Sequence, residues 1–337
     1  MLIPEFLKQG DLIGVPAPSD GSNCFEKEKR FLNAKKRLEN LGYQVKLSDN
    51  IFNSIKGRSS SAIKRATEIN DMFQDKNIKI MLCAAGGDFL IEILPYIDYN
   101  LIKNNPKWLI GFSDPTGLLY SITTKCDMAT IYGTNFGNLG SKELDKSQED
   151  FLKIITGNLL TEHSYDLYEE TRLERITGLE GYNLTEKVIW KTLDNKDVVV
   201  TGRIIGGCLD VISSIAGTKY DGIKEFNYKY KDDGLIWYFD NCELSFEETI
   251  RVLFKLHELD YFKYAKAIIF GRFGSNQTSY DYTVKTCLED SIISKLNIPI
   301  IYDTDFSHKG PCLNIINGVI TTIEVKNNKG LITFKLD

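Results

Sequence analysis

The run LIGFSDPTGLL, Leu109 to Leu119, carries an apolar, strand-like stretch onto a serine and opens a helix directly behind it. A hydroxyl at such a turn is held out from the sheet. The unbonded N–H groups of the following helical turn lie beside it and favour developing negative charge. Pro115 suits that first turn, where its missing N–H costs nothing. The chemistry this predicts is acyl transfer with Ser113 as nucleophile. A serine in the same place also caps helices, and G-F-S-D-P departs from the strict G-x-S-x-G elbow, so both roles stay open at this point.

A nucleophilic serine needs a base, and the chain has three histidines. His257 lies inside RVLFKLHELDYF, where a helix face or end accounts for it, and His163 sits in a polar stretch that reads as surface. His308 follows the strand-like IPIIYDTDF in a loop with Ser307, Gly310 and Pro311, where a base could face the serine or simply face solvent. The third member of such a set is a carboxylate that orients the imidazole. LIWYFDNCELSFEE offers Asp240 at a strand end and Glu243 beside a helix start, where acidic residues are common for the helix's own sake. Asp240 is the better candidate.

The elements that must position these residues follow from periodicity. Leu12–Ala17, Tyr43–Leu47, Ile78–Ala84, Trp108–Phe112 and Ala129–Tyr132 read as strands, separated by helical patterns such as Phe31, Ala34, Leu38 and Leu41, which stop at Gly42. Ile63, Ala66, Ile69 and Phe73 mark a second helix. Alternation of this kind predicts an α/β fold with an N-terminal doubly wound, mainly parallel sheet and ligands at the strands' carboxyl ends. Gly86-Gly87 and Ser113 both lie at such ends.

Residues 141–200 turn polar and read as a bridge. Beyond them Arg203–Ile205, Leu235–Phe239, Ala267–Phe270 and Ile298–Tyr302 read as strands, and Ser245 with Glu248 forms a capping box. Leu313–Leu336 alternates around Asn327-Asn328 like a closing hairpin. The expected organisation is an N-terminal α/β domain over 1–140 carrying the nucleophile and a bridge over 141–200. A C-terminal α/β domain with a β-rich end follows over 201–337, carrying the acid and histidine, with the active site between the two domains.

Composition excludes several functions. A net charge of −5 without a Lys/Arg block gives no footprint for nucleic acid. No run of about 18 apolar residues exists, and MLIPEFLKQGDLIGV meets charges before a signal-like core can form, so no membrane partner and a cytoplasmic location are expected. Seven scattered cysteines without a C-x-x-C pair suit a reducing compartment, and with three histidines they predict no metal and no cofactor.

GFSDPTGLL, CAAGGDF with the following ILPYID, TGRIIGGCLDVI, IWYFDNCELS, the Gly271–Phe273 GRF and DFSHKGP together resemble the LD-carboxypeptidase family of serine peptidases, from about Ile13 to Asn317 and in order. That family includes murein tetrapeptide carboxypeptidases and microcin C immunity proteins. The resemblance implies a Ser-Glu-His triad whose positions here are Ser113, Asp240 and His308, with aspartate shorter than the family's glutamate by roughly 1.5 Å. Either the backbone comes closer or the histidine is oriented less well. It also implies an oxyanion hole from the Asp114 N–H and that of Gly86 or Gly87, and a homodimer. Murein-trimming members commonly carry arginine immediately before the glycine pair, where this chain has Ala85, and the family's second glycine pair is often followed by asparagine, where this chain has Cys208. The implied substrate is a small peptide or a peptidyl- or aminoacyl-nucleotide cleaved near its C-terminus. A non-catalytic binding protein on a degenerate peptidase scaffold is the alternative, motivated by the aspartate.

Overall fold

In the computed structural model, which describes residues 1–336, the stretch before the serine becomes the strand Trp108–Gly111, with all four residues buried. It lies between Ile78–Leu82 and Thr130–Tyr132, parallel to both. Cover on both faces is why it reads as a continuous apolar run and does not alternate. The sheet order is Ile315–Asn317, Thr130–Tyr132, Trp108–Gly111, Ile78–Leu82, Leu12–Val15, Gln44–Leu47. Only the first of these six pairs antiparallel.

The crossover helices follow the sequence pattern with two instructive differences. Phe25–Asn40 buries Phe31, Ala34 and Leu38, but Leu41 is the C-cap and is exposed. The N–H groups of Gly42 and Tyr43 bond back to Glu39 and Leu38, and Gly42 takes the left-handed φ of 86° that ends the helix. Ala62–Gln74, capped by Ser61, buries Ala66, Ile69, Met72 and Phe73 while Ile63 in its first turn faces solvent.

The second sheet runs Thr161–His163, Lys329–Lys335, Ile320–Lys326, Val198–Cys208, Leu235–Asp240, Ala265–Gly271, Ile300–Thr304, Lys191–Thr192. Its centre is parallel from Val198–Cys208 to Ile300–Thr304, and its flanks are antiparallel. The helix Phe246–Glu258 is capped by the Ser245–Glu248 box. Trp237 anchors the core here, stacked on Tyr261 at 5.1 Å between ring centroids.

The C-terminal hairpin forms from Ile320–Lys326 and Lys329–Lys335, turning through Asn327 and Asn328, both at positive φ. The expected hairpin began at Leu313. The stretch Ile315–Asn317 instead joins the first sheet beside Thr130–Tyr132, because Gly318 at φ 88° turns the chain before the hairpin begins. The chain divides into two compact units. The first comprises Met1–Leu159, Arg172–Tyr182 and Asn314–Asn317; the second comprises Leu160–Thr171, Asn183–Leu313 and the residues from Gly318 on. The stretch 141–200 is shared between them. Each unit is a mixed α/β structure with parallel strands at the centre of its sheet. Among the described residues no helix is long and apolar enough to cross a membrane.

Candidate active site

Ser113 stands two residues beyond the end of its strand with φ 71°, in the left-handed region. For a residue with a Cβ this conformation costs about 1 kcal/mol or more, and it persists only where the surroundings impose it. The turn is tight because Gly111 lets Pro115 approach: a Cβ on Gly111 would stand 2.6 Å from that of Pro115. The helix Thr116–Cys126 follows at once, with the Thr116 N–H bonded to the Ser113 carbonyl at 2.9 Å.

The glycine pair lies against this turn. A Cβ on Gly86 would meet Ser113 at 3.0 Å from Cβ and 3.3 Å from Oγ, and one on Gly87 would collide with the Ser19 hydroxyl. Close approach favours glycine at both positions. The Asp114 side chain also holds this turn. Its buried carboxylate accepts the Leu90 N–H at 2.8 Å and the Ser19 hydroxyl, so it staples two loops to the serine turn. Burial raises the pKa of this carboxyl, and the bonds from Ser19 and Leu90 work against that rise.

In the second unit Asp240 is the last residue of the strand Leu235–Asp240 and is fully buried. Its Oδ2 stands 2.8 Å from His308 Nδ1, and its Oδ1 accepts the His308 backbone N–H at 3.2 Å. One carboxylate therefore holds both the ring and the main chain of the histidine. The shorter aspartate side chain still reaches the ring. Burial opposes the charged imidazole, but the charge and hydrogen bond of Asp240, joined by a hydrogen bond to Cys242, outweigh it and raise the His308 pKa above the ordinary histidine range.

Glu243 is exposed, and what fixes its segment is another carboxylate. Asp210 accepts the consecutive N–H groups of Cys242 at 3.0 Å, Glu243 at 2.9 Å and Leu244 at 3.1 Å. His257 lies in the last turn of its helix and His163 on an exposed edge position. The structure thus brings Asp240 to His308, and Gly86 to Ser113, and leaves the other histidines and Glu243 apart.

Arg272, the arginine of the GRF motif, holds the histidine loop. Its Nη1 pairs with Asp305 at 2.6 Å, and its Nη2 donates to the carbonyls of Lys309 at 2.8 Å and Pro311 at 3.4 Å. Asp305 also accepts the Trp190 indole N–H at 2.8 Å, and Ser307 Oγ donates to the Arg272 carbonyl at 2.7 Å. Burial pushes the Asp305 carboxyl up, and Arg272, with the hydrogen bond from Trp190, works against that rise. Arg272→Met is expected to cost about 3–5 kcal/mol in urea unfolding, since it leaves Asp305 buried without its cationic partner. A loss below about 1 kcal/mol would show that the loop does not depend on the pair. Neither Arg272 nor Asp210 stood out as functional in the sequence. The arginine inside GRF, just after a strand, was the available signal.

Among the described residues no three metal-binding side chains group together, and no disulfide forms. The model of the LD-carboxypeptidase N-terminal domain matches residues 13–133, and that of the LD-carboxypeptidase C-terminal domain matches residues 201–323. A carboxypeptidase-like protein of Vibrio cholerae is 29% identical, covering 100% of this chain and 98% of its own. The microcin self-immunity protein MccF of Escherichia coli is 28% identical over 97% of this chain and 94% of its own. A structure of MccF with glutamyl sulfamoyl guanosine superposes with a TM-score of 0.83 at 24% identity, covering 100% of this chain and 99% of that one. A probable murein peptide carboxypeptidase of Bacillus subtilis is 30% identical, over 65% of this chain and 60% of its own.

Proposed function

The chain belongs to the LD-carboxypeptidase family of serine peptidases, and from that premise we propose that Ser113, His308 and Asp240 act together as its catalytic triad on a small acyl substrate. The observation that carries this reading is the double hold of Asp240 on His308. With Nδ1 committed to the carboxylate, Nε2 is the ring atom left to take the serine proton. Ser113 Oγ attacks the carbonyl carbon while that proton passes to His308. The tetrahedral oxyanion is received by the Asp114 N–H and by that of Gly86 or Gly87. The imidazolium then protonates the leaving nitrogen, the C–N bond breaks, and water repeats the sequence on the acyl-serine. Asp240 stabilises the imidazolium in both halves and remains ionised.

For the substrate, the match to MccF over nearly the whole chain supports an aminoacyl- or peptidyl-nucleotide, cleaved at the bond joining the acyl group to the nucleotide-like part. Ala85, in place of the arginine common in murein-trimming members, supports the same choice. The likeness to the murein enzyme, which spans 65% of this chain, favours a muropeptide as second reading. The test is a hydrolysis screen of aminoacyl sulfamoyl nucleosides against tetrapeptides ending in D-alanine, each with and without EDTA. The expected result is release of free amino acid from the sulfamoyl nucleosides, unchanged by the chelator. Turnover confined to the tetrapeptides would replace the substrate assignment. Activity lost on chelation and restored by a divalent ion would overturn the serine mechanism.

A further inference from the structure

We propose that Asn135 is a positioning residue for the nucleophile, an inference that rests on the assignment of Ser113 above. Asn135 is only 5% exposed and follows the strand Thr130–Tyr132, where the chain leaves the sheet. The last backbone bond of that edge is Gly133 N–H to the Gly111 carbonyl, at 2.9 Å. One residue past the end of the neighbouring strand, the side chain takes over. Asn135 Oδ1 accepts the Phe112 N–H at 2.9 Å, and its Nδ2 donates to the Phe112 carbonyl at 3.1 Å. A carboxamide carries the same donor and acceptor as a peptide group, so it continues the ladder after the strand has gone.

Phe112 is the residue before Ser113, and both of its backbone groups are committed to this one amide. That fixes the peptide plane from which Ser113 enters its strained φ of 71°. On the other side of the serine, Asp114 is fixed by Leu90 and Ser19. Asn135 also ties the serine turn to the stem of the glycine loop. Directly after it the Phe136 N–H bonds the Cys83 carbonyl at 2.9 Å, and the Gly137 N–H bonds the Ala84 carbonyl at 3.1 Å. One short segment thus sets the nucleophile's turn and the strand end that leads into Gly86.

Loss of the amide frees the Phe112–Ser113 peptide to rotate, moving Oγ and the Asp114 N–H together, while surfaces that bind the rest of the substrate stay in place. The experiment compares wild type, Asn135→Ala and Asn135→Asp in the full chain. It reads the second-order rate of Ser113 phosphonylation by a fluorophosphonate, the kcat and KM of whichever substrate the screen yields, and Tm. Asn135→Ala is expected to lower the phosphonylation rate and kcat by about 10- to 100-fold with KM within about twofold, the size of loss that a displacement near 1 Å produces. Asn135→Asp keeps the acceptor for the Phe112 N–H and loses the donor, so its rates should fall between the two. It also preserves the comparison should the alanine variant fold poorly. Wild-type labelling and kcat in the aspartate variant and in a folded alanine variant would overturn the inference alone. No adduct on Ser113 in the wild type would overturn it together with the triad.

Discussion

Ser113→Ala is expected to lower kcat by about 10,000-fold or more while KM changes little, because the covalent route is removed and only binding and oxyanion stabilisation remain. The fold should survive, since the residue is partly exposed and the turn around it is held by Asn135 and Asp114. Ser113→Gly separates chemistry from strain. At φ 71° glycine relieves a conformation that serine adopts at a cost, so this variant should be as inactive as alanine and yet more stable, by an amount on the order of 1 kcal/mol, with a correspondingly higher Tm. Steady-state kinetics and calorimetry on the three proteins check both halves. Retained turnover in Ser113→Ala would remove serine from the mechanism. A lower Tm in Ser113→Gly than in Ser113→Ala would show that the left-handed turn stores no strain.

Asp240→Asn is expected to be nearly as severe, with kcat reduced by roughly 10,000-fold as when the acid of a triad becomes an amide. Asparagine cannot stabilise the imidazolium, and an amide facing Nδ1 can select the wrong tautomer. The same change has a signature in pH. A base works in its neutral form, and Asp240 raises the His308 pKa, so the acid limb of the wild-type kcat/KM profile should lie above the usual histidine value near 6.5. Removing the carboxylate's charge moves that limb down, and the residual activity of Asp240→Asn should persist to lower pH. The linkage to stability follows from the same raised pKa. The pair's contribution is fully present below the unfolded histidine's pKa and is lost as pH rises through the folded value, so the wild-type advantage over Asp240→Asn should shrink on the alkaline side. Glu243→Gln, on an exposed side chain, should leave rate and profile unchanged. A large kcat loss in Glu243→Gln with near-normal rates in Asp240→Asn would identify the other carboxylate as the acid.

The parts of this site that were legible in the sequence are those encoded locally. The turn at Ser113 is announced within eleven residues by an apolar run, a hydroxyl and Pro115. Asp240 ends one buried strand and His308 follows another, and strand ends are where a parallel sheet presents its chemistry. What stayed hidden are contacts across long sequence separations. Asn135 reaches Phe112 over 23 residues, Arg272 reaches Asp305 over 33, and Asp210 reaches the segment after Asp240 over 32 to 34. No periodicity predicts which polar side chain will find an unbonded peptide group in another loop. The final strand of the first sheet is hidden for a related reason. Ile315–Asn317 carries the same β pattern as the hairpin beside it, and only the turn at Gly318 separates their partners. Leu41 and Ile63 show the limit of helical spacing at helix ends, where a residue in phase with the buried face can still lie beyond the packing.

The central proposal is that His308 is the base that activates Ser113. Site-mapped labelling by a fluorophosphonate, timed in wild type and in His308→Ala at matched Tm, tests it most directly. The account predicts one adduct in the wild type, on Ser113, forming slower by about 100-fold or more in His308→Ala because general-base assistance to the attack is lost. Equal labelling rates in the two proteins, or an adduct on any other residue, would contradict it.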